Sequence, residues 1–145
     1  MPYIPYFEIM KLLMFDSPEF WYRTFVKTVE SAETINEDKT TKDSIVVFLQ
    51  SEREDEDRAE SVLKDAVGNI SWLARKVGKT RIVLHSFAHL SESKSNVSFA
   101  RKTIEKLNSK LNEKGFQASS TPFGYFIEFK IHVGGESLAK VLKSI

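Results

Sequence analysis

Two short apolar runs with a helix-like stretch between them constrain the fold of this chain more than any other feature. Residues 45–49 and 81–84 are mostly aliphatic and too short for a buried helix, so each predicts a buried strand. Between them, apolar residues recur at helical spacing from Val62 to Val77, and Gly78 suits the end of such a helix. A strand, a helix and a strand of these lengths form a βαβ unit with parallel strands and a right-handed crossover.

Two further strands are predicted before this unit. Residues 11–15 and 20–29 are rich in apolar, aromatic and β-branched side chains. Asp16-Ser17-Pro18 lies between them and predicts the turn of a hairpin. Residues 30–43 are polar and predict a surface loop.

The second half of the chain adds helices and two more strands. A helix is predicted to begin near Ser95 or Asn96, both good N-caps. Residues 116–119 and 125–133 predict strands, and a short last helix starts at about Glu136. The predicted order is β-β-β-α-β-α-β-β-α, an α/β fold with a mixed β-sheet and helices packed on it. The residues expected to face inward from the last helix are Leu138, Val141 and Leu142.

Charge is distributed unevenly along the 145 residues, although the net charge is only +1. Residues 1–74 carry a net charge of −7 and residues 75–145 a net charge of +8. A basic half can face a polyanion such as a nucleic acid, although both halves could equally be ordinary solvated surface. The absence of cysteine excludes disulfides and thiolate sites, and it fits a cytoplasmic location. No apolar run is long enough to span a membrane, so no membrane association is predicted.

The acidic run from Glu52 to Asp57 has a net charge of −4 and admits two interpretations. It could form a loop that binds a metal ion. Alternatively, its carboxylates lie at the first turn of the following helix, where the helix dipole stabilises negative charge. We adopt the second interpretation.

Two histidines at the end of a buried strand predict a site at the edge of the sheet. His85 and His89 follow residues 81–84, and ligands of open α/β sheets bind at the carboxyl ends of the strands. Their i, i+4 spacing would hold a metal ion only on a helix, and no carboxylate pair is near, so no metal and no cofactor are predicted. Ser86 and Ser91 lack the glycine-flanked elbow of a serine nucleophile. The alternative is that such a histidine is a hydrogen-bonded structural group.

A second motif, PFGY at residues 122–125, combines a glycine with aromatic residues. Glycine lets a ligand approach the backbone closely, and aromatic rings can stack on a sugar or a base. Together with FAHLS at residues 87–91, this motif resembles the N-terminal editing domain of archaeal threonyl-tRNA synthetases. The resemblance covers about residues 10–145, so residues 1–9 form an N-terminal extension.

The resemblance implies a D-aminoacyl-tRNA deacylase-like fold and a homodimer. The implied activity is hydrolysis of L-serine wrongly attached to tRNA(Thr), with backbone groups, a bound water and the tRNA terminal hydroxyl performing the chemistry. The implied partners are the acceptor end of tRNA(Thr) and a synthetase catalytic domain, in cis or in trans.

Site residues are carried over by their place in the motifs. Ala88 and His89 would line the pocket and hold the terminal adenosine. Gly124 and Tyr125 would form the opposite wall, and Ser51 and Lys140 are assigned to the same substrate pocket. The positions assigned to catalysis are His89, Phe126 and Ile127.

Three positions depart from the family pattern. Phe126 stands where the family has a second tyrosine, and Ile127 stands where it has a lysine near the scissile ester. Lys140 replaces a glutamate thought to contact the substrate amine. These departures keep a second hypothesis open, in which the domain binds tRNA or dimerises without catalysis. Deacylation of D-amino acids is a third hypothesis, and nothing in the sequence supports chiral selection.

Overall fold

A computed structural model describes residues 10–87 and 96–145, and within them the chain forms one mixed sheet with two helices. The sheet has six strands in the order β4-β3-β2-β1-β5, and β6 also pairs with β1. The predicted α/β class is therefore confirmed, while the extension at residues 1–9 lies outside the described residues. The strands are β1 (Lys11–Lys27), β2 (Asp38–Gln50), β3 (Arg81–Ser86), β4 (Gln117–Ser120), β5 (Tyr125–His132) and β6 (Lys140–Ser144). The helices are α1 (Ala59–Val77) and α2 (Val97–Glu113), and the short 3-10 helix Arg53–Arg58 precedes α1.

The predicted pair of parallel strands is present, with α1 between them in the chain. β2 and β3 pair in parallel from Ser44, which lies opposite Arg81. Gly78 follows α1 with φ of 73°, a left-handed conformation that favours glycine. Asn96 caps α2, because its side chain accepts a hydrogen bond of 2.8 Å from the backbone N–H of Phe99.

Two apolar cores occupy the two faces of the sheet. The helix-side core fills the space between the sheet and both helices, and the aromatic core lies on the opposite face. The helix-side core includes Leu12, Met14, Val47, Leu49, Ile70, Leu73, Leu84, Leu107 and Leu111. The aromatic core consists of Phe20, Tyr22, Val46, Phe48 and Val83, with Leu13, Phe15, Phe87, Ile127 and Ile131 packed against it.

The predicted hairpin at residues 11–29 is wrong, because β1 is one continuous strand of 17 residues. Its pairing partners override the local turn signal. The N–H of Asp16 donates to the carbonyl of Ala139, and the carbonyl of Asp16 accepts from the N–H of Gly134, both at 2.9 Å. Residues 38–43, predicted as part of a loop, belong to β2 because residues 38–42 pair with the second half of β1.

A bend near Pro18 folds the second half of β1 over the first. The register between β1 and β2 skips Pro18 and Asp43, and Asp43 has φ of 46°. Nine positions of β1 separate the partners of Phe48 and Phe129, about 30 Å in a straight strand. The rings of Phe48 and Phe129 nevertheless lie 5.3 Å apart. The bend therefore brings β5 across the face of β2 and encloses the aromatic core, in which Phe20 is fully buried.

The predicted last helix is also wrong, because Lys140–Ser144 forms β6. β5 pairs with β1 only as far as Glu19, which leaves the edge of residues 11–15 open to another strand. That open edge decides the structure of a segment too short to form a stable helix alone. Of the three residues expected to face inward, two pack on the helix-side core, whereas Leu142 is 63% exposed.

The acidic run lies in the 3-10 helix ahead of α1, and one of its carboxylates links the start of β1 to this turn. Asp55 is fully buried and accepts hydrogen bonds from the backbone N–H groups of Met10 at 3.2 Å and Glu52 at 2.6 Å. Arg58 forms a salt bridge with Asp55 at 3.3 Å. Burial raises the pKa of the Asp55 carboxyl, while these donors and Arg58 oppose that shift. The residue therefore has a structural role.

Replacing Asp55 by alanine should lower the free energy of unfolding by about 2–3 kcal/mol, because two buried N–H groups lose their acceptor. Urea denaturation of the purified domain measures this loss. Asp57→Ala is the matched control, since Asp57 is exposed in the same turn, and it should change stability by less than about 0.5 kcal/mol. Equal losses for both variants would contradict the structural role of Asp55.

Candidate functional site

The carboxyl ends of β2 and β3 meet at one edge of the sheet, as the sequence predicts. The backbone N–H of Phe87 donates to the carbonyl of Leu49 at 2.8 Å, which extends the pairing beyond β3. Ser51 directly follows β2 and is only 5% exposed. Its hydroxyl has no hydrogen-bond partner among the residues that the structure describes, so this buried polar group is available at the predicted edge.

His85 lies at the same edge, on the side of the aromatic core. Its Nδ1 atom lies 2.7 Å from the hydroxyl oxygen of Thr121, which follows β4. The imidazole contacts the Phe48 ring edge-on at 5.3 Å, and the Phe48 and Phe87 rings stack at 5.4 Å. Burial lowers the pKa of His85 from 6.5 to about 4, so the ring is neutral at pH 7. A neutral imidazole can donate and accept one hydrogen bond, but it supplies no positive charge.

A pH titration of stability should report the neutral state of His85. Between pH 6.5 and 4 the unfolded chain binds a proton at this residue that the folded chain excludes, so stability falls as the pH falls. Lowering the pH from 7.5 to 4.5 should therefore reduce the free energy of unfolding by about 2 kcal/mol more in the wild type than in His85→Gln. Urea unfolding at both pH values measures the difference. His132→Gln, an exposed control, should keep the wild-type decrease, and an unchanged decrease in His85→Gln would refute the assignment.

Gly124 packs against the chain that leaves β1. Its carbonyl accepts hydrogen bonds from the backbone N–H groups of Thr28 at 2.7 Å and Val29 at 3.3 Å. It has φ of 86°, and an added Cβ would lie 2.9 Å from Cβ of Ala32. Both its conformation and the space around it therefore require glycine.

Replacing Gly124 by alanine should destabilise the fold by about 1–3 kcal/mol more than replacing Gly78, because the new Cβ is overpacked. Gly78→Ala is a matched control: its φ of 73° carries a similar backbone cost, but nothing lies within 4 Å of the added Cβ. Thermal unfolding of the two variants tests this comparison. Equal stability of the two would show that residues 29–32 move aside without cost.

Tyr125 is fixed by the loop between β1 and β2. Its hydroxyl donates to the carbonyl of Glu33 at 2.7 Å and accepts from the N–H of Ile35 at 2.8 Å. The next two residues of β5 diverge, as alternate strand residues do. Ile127 packs on the aromatic core, whereas Phe126 is 56% exposed on the opposite face. The structure thus directs Ile127, and not Phe126, toward the core that contains Phe48 and contacts His85.

The remaining predicted site residues are placed as follows. Lys140 is exposed at the start of β6 and lies opposite Phe15, which packs on the aromatic core. Ala88 and His89 lie outside the described residues.

Sequence reasoning identified His85 but missed its contact with Thr121. The signal for that pair is the parallel register of β3 and β4, which continues with a hydrogen bond from Thr121 N–H to the carbonyl of Leu84.

The whole structure resembles that of the c-Myc DNA unwinding element binding protein, with a TM-score of 0.63. The match covers 93% of this chain and 98% of that chain at 12% sequence identity, so it establishes the fold alone. The fold is thus the predicted D-aminoacyl-tRNA deacylase-like type. No helix among the described residues is long and apolar enough to cross a membrane.

The sequence family described as the archaea-specific editing domain of threonyl-tRNA synthetase matches residues 10–145, and this chain belongs to that family. It is 32% identical over 139 residues to the threonine–tRNA ligase of Pyrococcus horikoshii and 30% identical over 139 residues to that of Thermococcus kodakarensis. Each match covers 94% of this chain but 22% of the relative, so the chain spans a minor part of these ligases.

Proposed function

We propose that this domain hydrolyses the ester that joins L-serine to the terminal adenosine of tRNA(Thr), and that it spares the threonyl ester. The observation that carries the proposal is the family match over residues 10–145. Serine lacks one methyl group of threonine, and a binding pocket distinguishes one methyl by only about 1–3 kcal/mol. A second site that excludes the larger amino acid supplies the remaining accuracy.

The proposed substrate position is the sheet edge beside Ser51 and His85. His89 orients the terminal adenosine and Ala88 lines the pocket, as the family resemblance implies. The buried hydroxyl of Ser51, which has no partner among the described residues, supports a polar ligand at this edge. Gly124 and Tyr125 form the opposite wall, and hydrogen bonds to the chain that follows β1 fix both residues.

The proposed chemistry uses backbone donors, a bound water and the terminal hydroxyl of the tRNA. Donors aimed at the developing oxyanion stabilise such a transition state without a nucleophilic side chain. Ile127 can supply neither a proton nor a charge, and its contact with the aromatic core limits it to shaping the pocket. Phe126, which the resemblance also places at the site, would act from the exposed face of β5. Lys140 replaces an acidic residue, so the substrate amine requires another partner.

The proposed partners are the acceptor end of tRNA(Thr), a second copy of the domain, and a synthetase catalytic domain. The catalytic domain would act in cis or in trans. The threonine–tRNA ligases that match this chain motivate the last partner.

The decisive experiment compares release of amino acid from Ser-tRNA(Thr) and Thr-tRNA(Thr). Serine should leave about 10–200 times faster than threonine, the range that one methyl group allows. His89→Ala should slow the release of serine, while His132→Ala on the exposed side of β5 should not. Equal rates for the two esters would refute the proposed selectivity.

A second candidate function is a tRNA-binding or dimerisation module without hydrolysis. The packing of the partly buried Ile127 against an apolar core favours it, because the family lysine position then offers no polar group to the ester. This candidate predicts salt-dependent binding of tRNA with no release of serine. It fails if tRNA does not bind even at low salt.

A further inference from the structure

A groove between α1 and the end of α2 lies apart from the edge described above. Its volume is about 510 Å³. We call it the α1 groove. Its lining residues are Gly68, Ser71, Trp72, Arg75, Lys76 and Lys114.

Two residues that line the α1 groove lower the stability of the fold. Gly68 lies inside a helix, where glycine costs about 1 kcal/mol relative to alanine, and nothing lies within 4 Å of its missing Cβ. Ser71 is 2% exposed, and its hydroxyl has no partner among the described residues. A buried hydroxyl without a partner costs about 1–3 kcal/mol. The open space at Gly68 leaves room for a ligand that enters the groove.

Trp72 provides an aromatic surface beside this space. Its side chain is 46% exposed, and the ammonium group of Lys143 lies 5.8 Å from its ring centroid. Stacking of a nucleobase on such a ring contributes about 1–3 kcal/mol and is tolerant of sequence.

Every charged residue that lines the α1 groove is positively charged. Arg75, Lys76 and Lys114 line it, and Lys143 approaches the ring of Trp72. In the part of the chain that the structure describes, none of these four cations forms a salt bridge.

The other tryptophan has different surroundings. The ammonium group of Lys130 lies 5.8 Å from the ring centroid of Trp21, the same distance as that of Lys143 from Trp72. However, the indole N–H of Trp21 donates a hydrogen bond of 2.7 Å to the carboxylate of Asp38. Two residues further along β1, Arg23 forms a salt bridge of 2.6 Å with Glu128 on the neighbouring strand β5. The α1 groove therefore combines an aromatic ring with unneutralised cations, whereas the surface at Trp21 carries its own counter-charges. This combination is the chemistry that binds a nucleic-acid strand.

We propose that the α1 groove binds the sugar-phosphate backbone of tRNA, with a base or ribose stacked on Trp72 and phosphates paired with the four cations. The inference rests on the proposed function for the identity of the RNA. α1 begins just after the predicted site edge, and Trp72 lies 13 residues along it, about 20 Å away. The groove thus contacts nucleotides upstream of the terminal adenosine while the ester occupies the site.

Fluorescence tests this contact directly, because the chain has two tryptophans. Trp21→Phe leaves Trp72 as the only emitter, and Trp72→Phe leaves Trp21. Titration with uncharged tRNA(Thr) at low salt should quench emission of the first variant by half or more and leave the second nearly unchanged. Quenching confined to Trp21, or absent from both while tRNA binds, overturns the proposal.

Salt dependence of tRNA affinity provides a second measurement. Replacing Arg75, Lys76, Lys114 and Lys143 by glutamine should reduce the slope of log affinity against log salt by about 0.7–0.9 for each cation that contacts a phosphate. The matched control, Lys102→Gln with Lys106→Gln on the exposed side of α2, should keep the slope. If the slope fell by the same amount for each charge removed in the control, the attraction would be diffuse and the proposed binding groove would be wrong.

The two measurements separate this inference from the proposed function. In an active domain, the groove variants should raise KM for Ser-tRNA(Thr) and leave kcat unchanged. Serine release without any change in KM refutes the groove and retains the editing activity. Quenching of Trp72 in a domain that releases no serine retains the groove and refutes the hydrolysis.

Discussion

The continuity of β1 is the constraint on which the rest of the structure depends. One strand of 17 residues pairs with β2 on one side and with β6 and β5 on the other. Its bend near Pro18 folds β5 across the face of β2, and the aromatic core fills the enclosed space. The core in turn holds Phe48, which contacts the imidazole of His85 at the site edge. Backbone pairing along β1 therefore positions side chains far from it in sequence.

Local patterns were sufficient where burial alone decides the structure. The stripe of α1 and the apolar run of β3 follow from which faces are covered, so their periodicity predicts them. Long-range pairing decided the rest. Asp16-Ser17-Pro18 carries a strong turn signal, but the backbone of Asp16 is engaged by Gly134 and Ala139. Lys140–Ser144 is a strand because β1 offers a free edge, a fact that five residues of sequence cannot contain.

In the candidate site, too, local patterns predicted some features, and long-range pairing decided the others. The FAHLS and PFGY motifs predicted the family, and the edge of parallel strands was expected from the βαβ unit. The roles within the motifs needed the structure, because strand alternation separates Phe126 from Ile127. The contact between His85 and Thr121 arises from the register of β4. This polar strand of four residues has no apolar pattern from which it could be predicted.

The contacts of Gly124 and Tyr125 have a consequence for how such domains evolve. Both residues hold the connection between β1 and β2, through hydrogen bonds to Thr28 and Ile35 among others. A lineage that stopped hydrolysing esters would still be selected to keep them, because the fold needs them. Presence of the PFGY motif alone therefore does not distinguish an active domain from an inactive one. Loss of catalysis would leave its first traces at positions that support no other element, such as the exposed Phe126.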